Sequence, residues 1–119
     1  MDKKNDLSRS VIFSFRNEEE NIPELVRRVR TVLQDEIEKE IILNYEMIFI
    51  NDDSTDDSRN ILIKLAKEKN DIKVINMSRN FGVYPCVFAG LKYSSGDAVI
   101  YMDADLQDPP EIIDQLYKK

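Results

Sequence analysis

Two carboxylates, Asp103 and Asp105, stand two positions apart where an apolar run, Ala98 to Met102, ends. Side chains alternate along an extended chain, so both project to the same side if the extension continues. Ionised carboxylates that close repel, and one resists ionisation unless a cation is present. A hard divalent ion removes the conflict. Mg²⁺ takes one or two carboxylates and fills its octahedron with waters and phosphate oxygens. The pair is therefore suited to hold a metal on a diphosphate. D-x-D also arises by chance in a chain with 23 acidic residues; its place at the end of a buried strand adds weight.

Other candidates also follow apolar runs. After Tyr45 to Ile50 come Asn51, Asp52 and Asp53. A carboxylate there can accept a hydrogen bond from a base N–H or a ribose hydroxyl. Alternatively Asp52, Asp53, Asp56 and Asp57 favour the positive end of the next helix, a role that suits Asp56 and Asp57 best. The cluster is not an EF-hand: counting from Asp52, the sixth position is Asp57 rather than Gly and the twelfth is Ile63 rather than Glu. Arg79 offers a guanidinium fork for phosphate oxygens, or is a solvated loop charge, and Arg16 is similar. Gly82 reads as a turn residue. Cys86 reads as core, since no His is present to activate it. The G-x-G-x-x-G and P-loop patterns are absent, so a nucleotide must be gripped through carboxylates and metal.

Composition narrows the classes. The 119 residues make one small domain, and 42% apolar content fits a globular chain. The net charge is −6, with no basic stripe for DNA or RNA, so a nucleic-acid partner is not expected. An acidic protein still binds an anionic ligand when a metal bridges them. Without His, acid–base work falls to other groups. The single cysteine excludes an internal disulfide and Cys-rich zinc sites, which fits a reducing compartment. No apolar run is long enough to span a bilayer, and Met1 to Asp6 lacks a signal-peptide core.

Alternating elements must position these residues. Val11 to Phe15 reads as a first strand. Asn21 as cap, Pro23 in the first turn and Glu24 closing a capping box predict a helix. Ile22, Leu25, Val26, Val29, Val32 and Leu33 recur at helical spacing, with Arg27, Arg28 and Arg30 opposite. Tyr45 to Ile50 is a second strand. Ser54 or Thr55 caps a helix carrying Ile61, Leu62 and Leu65. Ile72 to Met77 is a third strand. A helix over Tyr84 to Tyr93 is expected to turn Val87, Phe88 and Leu91 inward. Ala98 to Met102 is a fourth strand, and Pro109-Pro110-Glu111 starts a last helix, Ile112 to Tyr117. The pattern predicts an α/β, Rossmann-like fold: a mainly parallel sheet of about four strands with helices on both faces. Ligands bind such sheets beyond the carboxyl ends, near the switch in strand order. If strands two, one and four are neighbours, the acidic ends merge into one crevice.

Four segments taken together resemble the family 2 glycosyltransferases of the GT-A fold. They are Phe15-Arg-Asn-Glu-Glu-Glu-Asn-Ile22, Phe49-Ile-Asn-Asp-Asp-Ser-Thr-Asp56, Ser78-Arg-Asn-Phe-Gly82, and the run from Gly96 through Asp103-Ala-Asp105 to Glu111. The branch that transfers sugars to polyprenyl phosphate is the most similar. The resemblance implies that Ser14, Phe15, Arg16 and Glu18 line the base and ribose pocket and that Asp52 contacts the base. It places Arg79 near the donor, and Asp103 and Asp105 on the metal and ribose-diphosphate, with Ala104 and Gln107 beside them. It implies Mg²⁺ or Mn²⁺, a UDP- or GDP-linked sugar, inversion by single displacement, and a polyprenyl phosphate or cell-envelope glycan acceptor. Ser14 stands where Pro is usual, Arg16 where an aromatic is usual, and Asn51 and Asp53 where Asp and Gly are common. Val83-Tyr-Pro-Cys86 lacks the Lys or Arg often found after the glycine.

Such enzymes continue past this motif into acceptor loops and the segment holding the catalytic base. The chain is accordingly expected to be a truncated donor-binding part, residues 1–119, that binds nucleotide weakly and transfers nothing alone. Its expected place is the cytoplasm, or the cytoplasmic face of a membrane in a full-length parent. Two other readings compete. A non-catalytic assembly module would leave a sheet edge or apolar face for a partner, making self-association an expectation. A phosphoacceptor receiver domain is similar in size and acidity. It expects an acidic pair after the first strand, where this chain has Arg16-Asn17.

Overall fold

Buried on both faces, a central parallel strand needs a continuous apolar run rather than alternation. Val11, Ile12 and Phe13 meet that need, and all are fully buried in a computed structural model that describes residues 8–79 and 83–104. They lie in β1 (Ser8–Phe15). The other strands are β2 (Asn44–Asn51), β3 (Ile72–Asn76) and β4 (Ala98–Asp103). The order is β3-β2-β1-β4 and all pairings are parallel. Strands two, one and four are thus neighbours, and the strand order switches beside β1. Gly82, Asp105, Gln107 and the expected helix Ile112 to Tyr117 lie outside the described residues.

Strand alternation sorts the core into two layers. Val11, Phe13 and Phe15 join Met47 and Phe49 beneath α1 (Ile22–Glu38) and α2 (Ser58–Glu68). Phe13 stacks on Phe49 with centroids 4.8 Å apart. Ile22, Leu25, Val26, Val29 and Leu33 form the buried stripe of α1. Ile12, Ile48 and Ile50 turn to the opposite face and meet Cys86 of α3 (Val83–Tyr93). Helices therefore cover both faces.

The inward face of α3 differs from the expected one. Phe88 and Leu91 are 72% and 47% exposed, while Cys86 and Ala89 pack on the sheet. The reason is close approach: a Cβ added to Gly90 would lie 2.5 Å from Ile12 Cγ2. Small residues let the helix backbone sit on β1, and the bulky ones are turned out. Apolar residues occur all round this helix, so periodicity does not choose a face.

The helix starts also differ. Asn21 makes no side-chain cap bond; its Nδ2 donates to Glu18 Oε1 and its amide to the Glu18 carbonyl. Glu24 pairs with Arg27. Neither Ser54 nor Thr55 caps α2, which begins at Ser58. Both are drawn instead into contacts with the loop after β1.

Polar groups tie α1 to the amino ends of the strands. Arg30 Nε donates to Asp71 Oδ2 at 2.8 Å, and the Tyr45 hydroxyl donates to the same oxygen at 2.6 Å. Burial opposes the Asp71 charge, but hydrogen bonds from Arg30 and Tyr45 win and hold its carboxyl below the usual range. Burial, then the hydrogen bond to Asp71, push the Tyr45 phenol up to about 12. A carboxylate with a lowered pKa stabilises the fold above its unfolded value, near 4, and loses that contribution as pH falls through the folded value. Asp71→Asn is therefore expected to flatten the acid limb of a urea-stability profile below about pH 4. An acid limb as steep as that of the parent would exclude Asp71 as its source.

Candidate functional site

The parallel register brings the sequence-predicted positions to one edge. Ser14 of β1 is the Cα partner of Asp103 at the end of β4, and Phe15 is the partner of Asn51. Just past β2, the Asp52 amide donates to the Phe15 carbonyl at 2.9 Å. Ser14, Asp52 and Asp103 thus stand on adjacent strand ends at the switch in strand order. The Ser14 hydroxyl is hydrogen-bonded to the Tyr101 hydroxyl. Asp52 is 8% exposed; burial, then the Asp52 charge, push the Cys86 thiol up to about 11.

The loops after β1 and β2 are joined into one wall. Asn17, in left-handed backbone at φ 59°, accepts on Oδ1 from the amides of Thr55 and Asp56 at 2.7 and 3.1 Å. Its own amide donates to Ser54 Oγ. The Glu18 amide donates to Ser58 Oγ, the Glu19 amide to Asp56 Oδ2, and the Asp57 amide back to Glu19 Oε1. Burial disfavours charge on Asp56, yet hydrogen bonds from Ser58 and Glu19 lower its pKa. Asp56 and Asp57 serve this seam and the start of α2. Asn51 binds its surroundings in the same way: Nδ2 donates to Asn76 Oδ1, and Oδ1 accepts from the Ser54 amide. Asp53 adopts φ 60°, which explains why Gly is common at this position.

Placement separates the remaining candidates. Phe15 and Ala104 are 6% and 3% exposed and belong to the core beneath α1 and α2. Arg16 is exposed and Glu18 half-buried at the start of the seam. Arg79 is exposed beyond β3. Its strand is separated from β4 by β2 and β1, roughly 14 Å across the sheet. Tyr101 and Cys86 emerge as site-end residues that sequence reasoning did not place there, while Asn17 and Asn51, read only as residues that follow strands, turn out to bind the loops together. Only Asn17, a residue tolerant of left-handed backbone placed just after a strand, carries a readable local signal. Among the described residues no three His, Cys, Asp or Glu gather as a metal-binding group.

The opposite edge is occupied differently. A cleft of about 440 Å³ there is lined by Arg9, Glu46, Asp71, Lys73 and neighbouring polar residues. Lys73 pairs with Glu46 at 2.7 Å and Arg9 with Glu36 at 2.6 Å. This edge is held together by its own ion pairs.

A parallel β3-β2-β1-β4 sheet with helices on both faces and polar strand ends at its switch defines a Rossmann-like α/β domain. The glycosyl transferase family 2 model matches residues 10–119, and the chain belongs to that family. It is 41% identical over 110 residues to an uncharacterized glycosyltransferase of Synechocystis sp., covering 92% of this chain and 33% of that protein. A mannosyltransferase of Pyrobaculum calidifontis, solved with GDP-Man and Mn²⁺, shares the fold. The TM-score is 0.71 at 20% identity, over 87% of this chain and 33% of that one. Residues 1–349 of S. aureus TarS, solved with UDP-GlcNAc, give a TM-score of 0.67 at 27% identity, over 93% and 32%. The chain thus spans about a third of the relatives it matches. No helix among the described residues is long and apolar enough to cross a membrane.

Proposed function

We propose that residues 1–119 form the nucleotide-sugar-binding domain of an inverting, metal-dependent glycosyltransferase. Its donor is a UDP- or GDP-linked sugar and its acceptor a polyprenyl phosphate, met at the cytoplasmic face of a membrane. One observation carries this reading: parallel pairing sets the ends of β2, β1 and β4 side by side, so Asp52, Ser14 and Asp103 share one edge. A structural neighbour 27% identical to this chain and solved with UDP-GlcNAc, and a same-fold neighbour solved with GDP-Man and Mn²⁺, support it.

In this reading Asp52 accepts a hydrogen bond from the base, and the joined loops around Asn17 hold the base pocket open before ligand arrives. Ser14, Arg16 and Glu18 line the base and ribose. Phe15 contributes through its backbone, since its ring is in the core. Arg79 reaches toward the donor from β3, and Ala104 and Gln107 flank the diphosphate. The residue types at the β4 end fit a hard ion: Asp103 is the Cα partner of Ser14, and carboxylate oxygens suit Mg²⁺ or Mn²⁺. Asp103 and Asp105 would hold that ion. When bound, it supplies positive charge to the departing diphosphate. The protein's own part is to orient the donor so that the acceptor attacks opposite the leaving group.

Calorimetry with UDP, GDP and their sugars tests this. Binding is expected only with Mn²⁺ or Mg²⁺, and Asp105→Ala is expected to weaken it at least about 100-fold, the scale of losing most of one charge-assisted site. Equal affinity without metal would sink the metal bridge.

A binding role in assembly is favoured by α3, whose outward Phe88, Leu91 and Tyr93 are 72%, 47% and 54% exposed. Self-association through that face predicts a dimer in sedimentation velocity, lost in Phe88→Lys. A monomer at all concentrations excludes it.

A further inference from the structure

The Asp52 carboxylate is buried, and its orientation needs a partner. Its backbone is fixed by the hydrogen bond that its N–H donates to the Phe15 carbonyl at 2.9 Å. Its position continues the alternation of Ile48 and Ile50, which face α3. On that face Cys86 is fully buried and packs with Ile12, Ile48 and Ile50. The helix that carries Cys86 cannot drift, because Gly90 one turn later lies against Ile12. A thiol is a weak donor, but a carboxylate is a strong acceptor. Buried beside apolar neighbours, the thiol gains from that acceptor what water would otherwise supply.

We propose that Cys86 is a positioning residue: its thiol donates to the Asp52 carboxylate and turns the remaining acceptor positions toward the nucleobase. The proposal rests on the donor-site reading above. A carboxylate has about four acceptor sites, and a donor fixed on the α3 side leaves the others for the open edge. Burial, then the Asp52 charge and hydrogen bond, push the thiol up to about 11, so it remains a protonated donor at neutral pH. A serine at this position would keep the donor, and an alanine would remove it at similar volume.

Two measurements test the proposal. The chain has a single cysteine, so the infrared S–H stretch reports Cys86 alone. In the ligand-free protein the band is expected at the hydrogen-bonded frequency and should rise toward that of a free thiol in Asp52→Ala. An unmoved band overturns the contact, whether or not any nucleotide binds. Calorimetry in Mn²⁺ then compares UDP and GDP with inorganic pyrophosphate, which has no base. Cys86→Ala is expected to weaken the nucleoside diphosphate about fivefold, the size of one net hydrogen bond. Pyrophosphate affinity should stay unchanged, and Cys86→Ser should restore the loss. Equal losses on both ligands, or no loss, overturn the positioning role. A parent protein that binds neither nucleotide sinks the donor-site reading instead, and the infrared band still decides the contact.

Discussion

Glu36→Ala is expected to destabilise the domain by about 3–5 kcal/mol, the cost of stranding a buried charge. Arg9 Nη1 donates to both Glu36 oxygens, at 2.6 and 2.7 Å, and the two side chains are only 6% and 2% exposed. Arg9 stands near the start of β1 and Glu36 near the end of α1, so the pair fastens the helix to the central strand. Without Glu36, the guanidinium keeps its desolvation cost and loses the carboxylate that accepts two hydrogen bonds from its Nη1. The urea midpoint measures the effect. The double substitution Arg9→Met with Glu36→Leu is expected to recover most of the loss, because two apolar groups carry no buried charge. A single variant within about 1 kcal/mol of the parent would mean that water reaches the site. Because this end lies opposite the proposed donor edge, nucleotide affinity per folded molecule should not change.

Gly96→Ala is expected to cost about 2–3 kcal/mol through overpacking. Gly96 precedes β4, and its amide donates to Ser10 Oγ at 2.8 Å. A Cβ added there would lie 2.6 Å from Ser10 Oγ, 2.7 Å from the Ser10 nitrogen and 2.8 Å from the Arg9 carbonyl carbon. Two of those three atoms are backbone of the central strand and cannot swing away. Ser10→Ala placed with Gly96→Ala should therefore give no rescue in thermal unfolding. Full rescue would assign the clash to the serine side chain alone. The packing also gives a physical reason for a glycine at the head of the segment that ends in Asp103. Any side chain there would push β4 off β1 and move Asp103 from its place beside Ser14.

Much of this architecture was readable locally. The mainly apolar runs at Val11 to Phe15, Tyr45 to Ile50 and Ala98 to Met102 are strands as their composition predicts; the first two are largely buried, whereas the third lies at the sheet edge with Val99 38% exposed. The stripe of α1 follows directly from its spacing. The acidic residues after β2 and β4 were placed at strand ends by the same runs. Their convergence depended on strand order, which chain connectivity favours but does not dictate.

From the residues alone an α/β chain of family 2 glycosyltransferase type was readable, with Asp52 and Asp103 at strand ends. Tertiary structure alone decided which surfaces those residues meet. It turned Cys86 and Gly90 of α3 inward and Phe88 outward, because backbone contact with Ile12 outweighed side-chain volume. It drew Ser54 and Thr55 away from α2 to Asn17, and Arg9 to a partner 27 residues away. Each choice rests on atoms distant in sequence competing for one buried position, and periodicity carries no record of that competition.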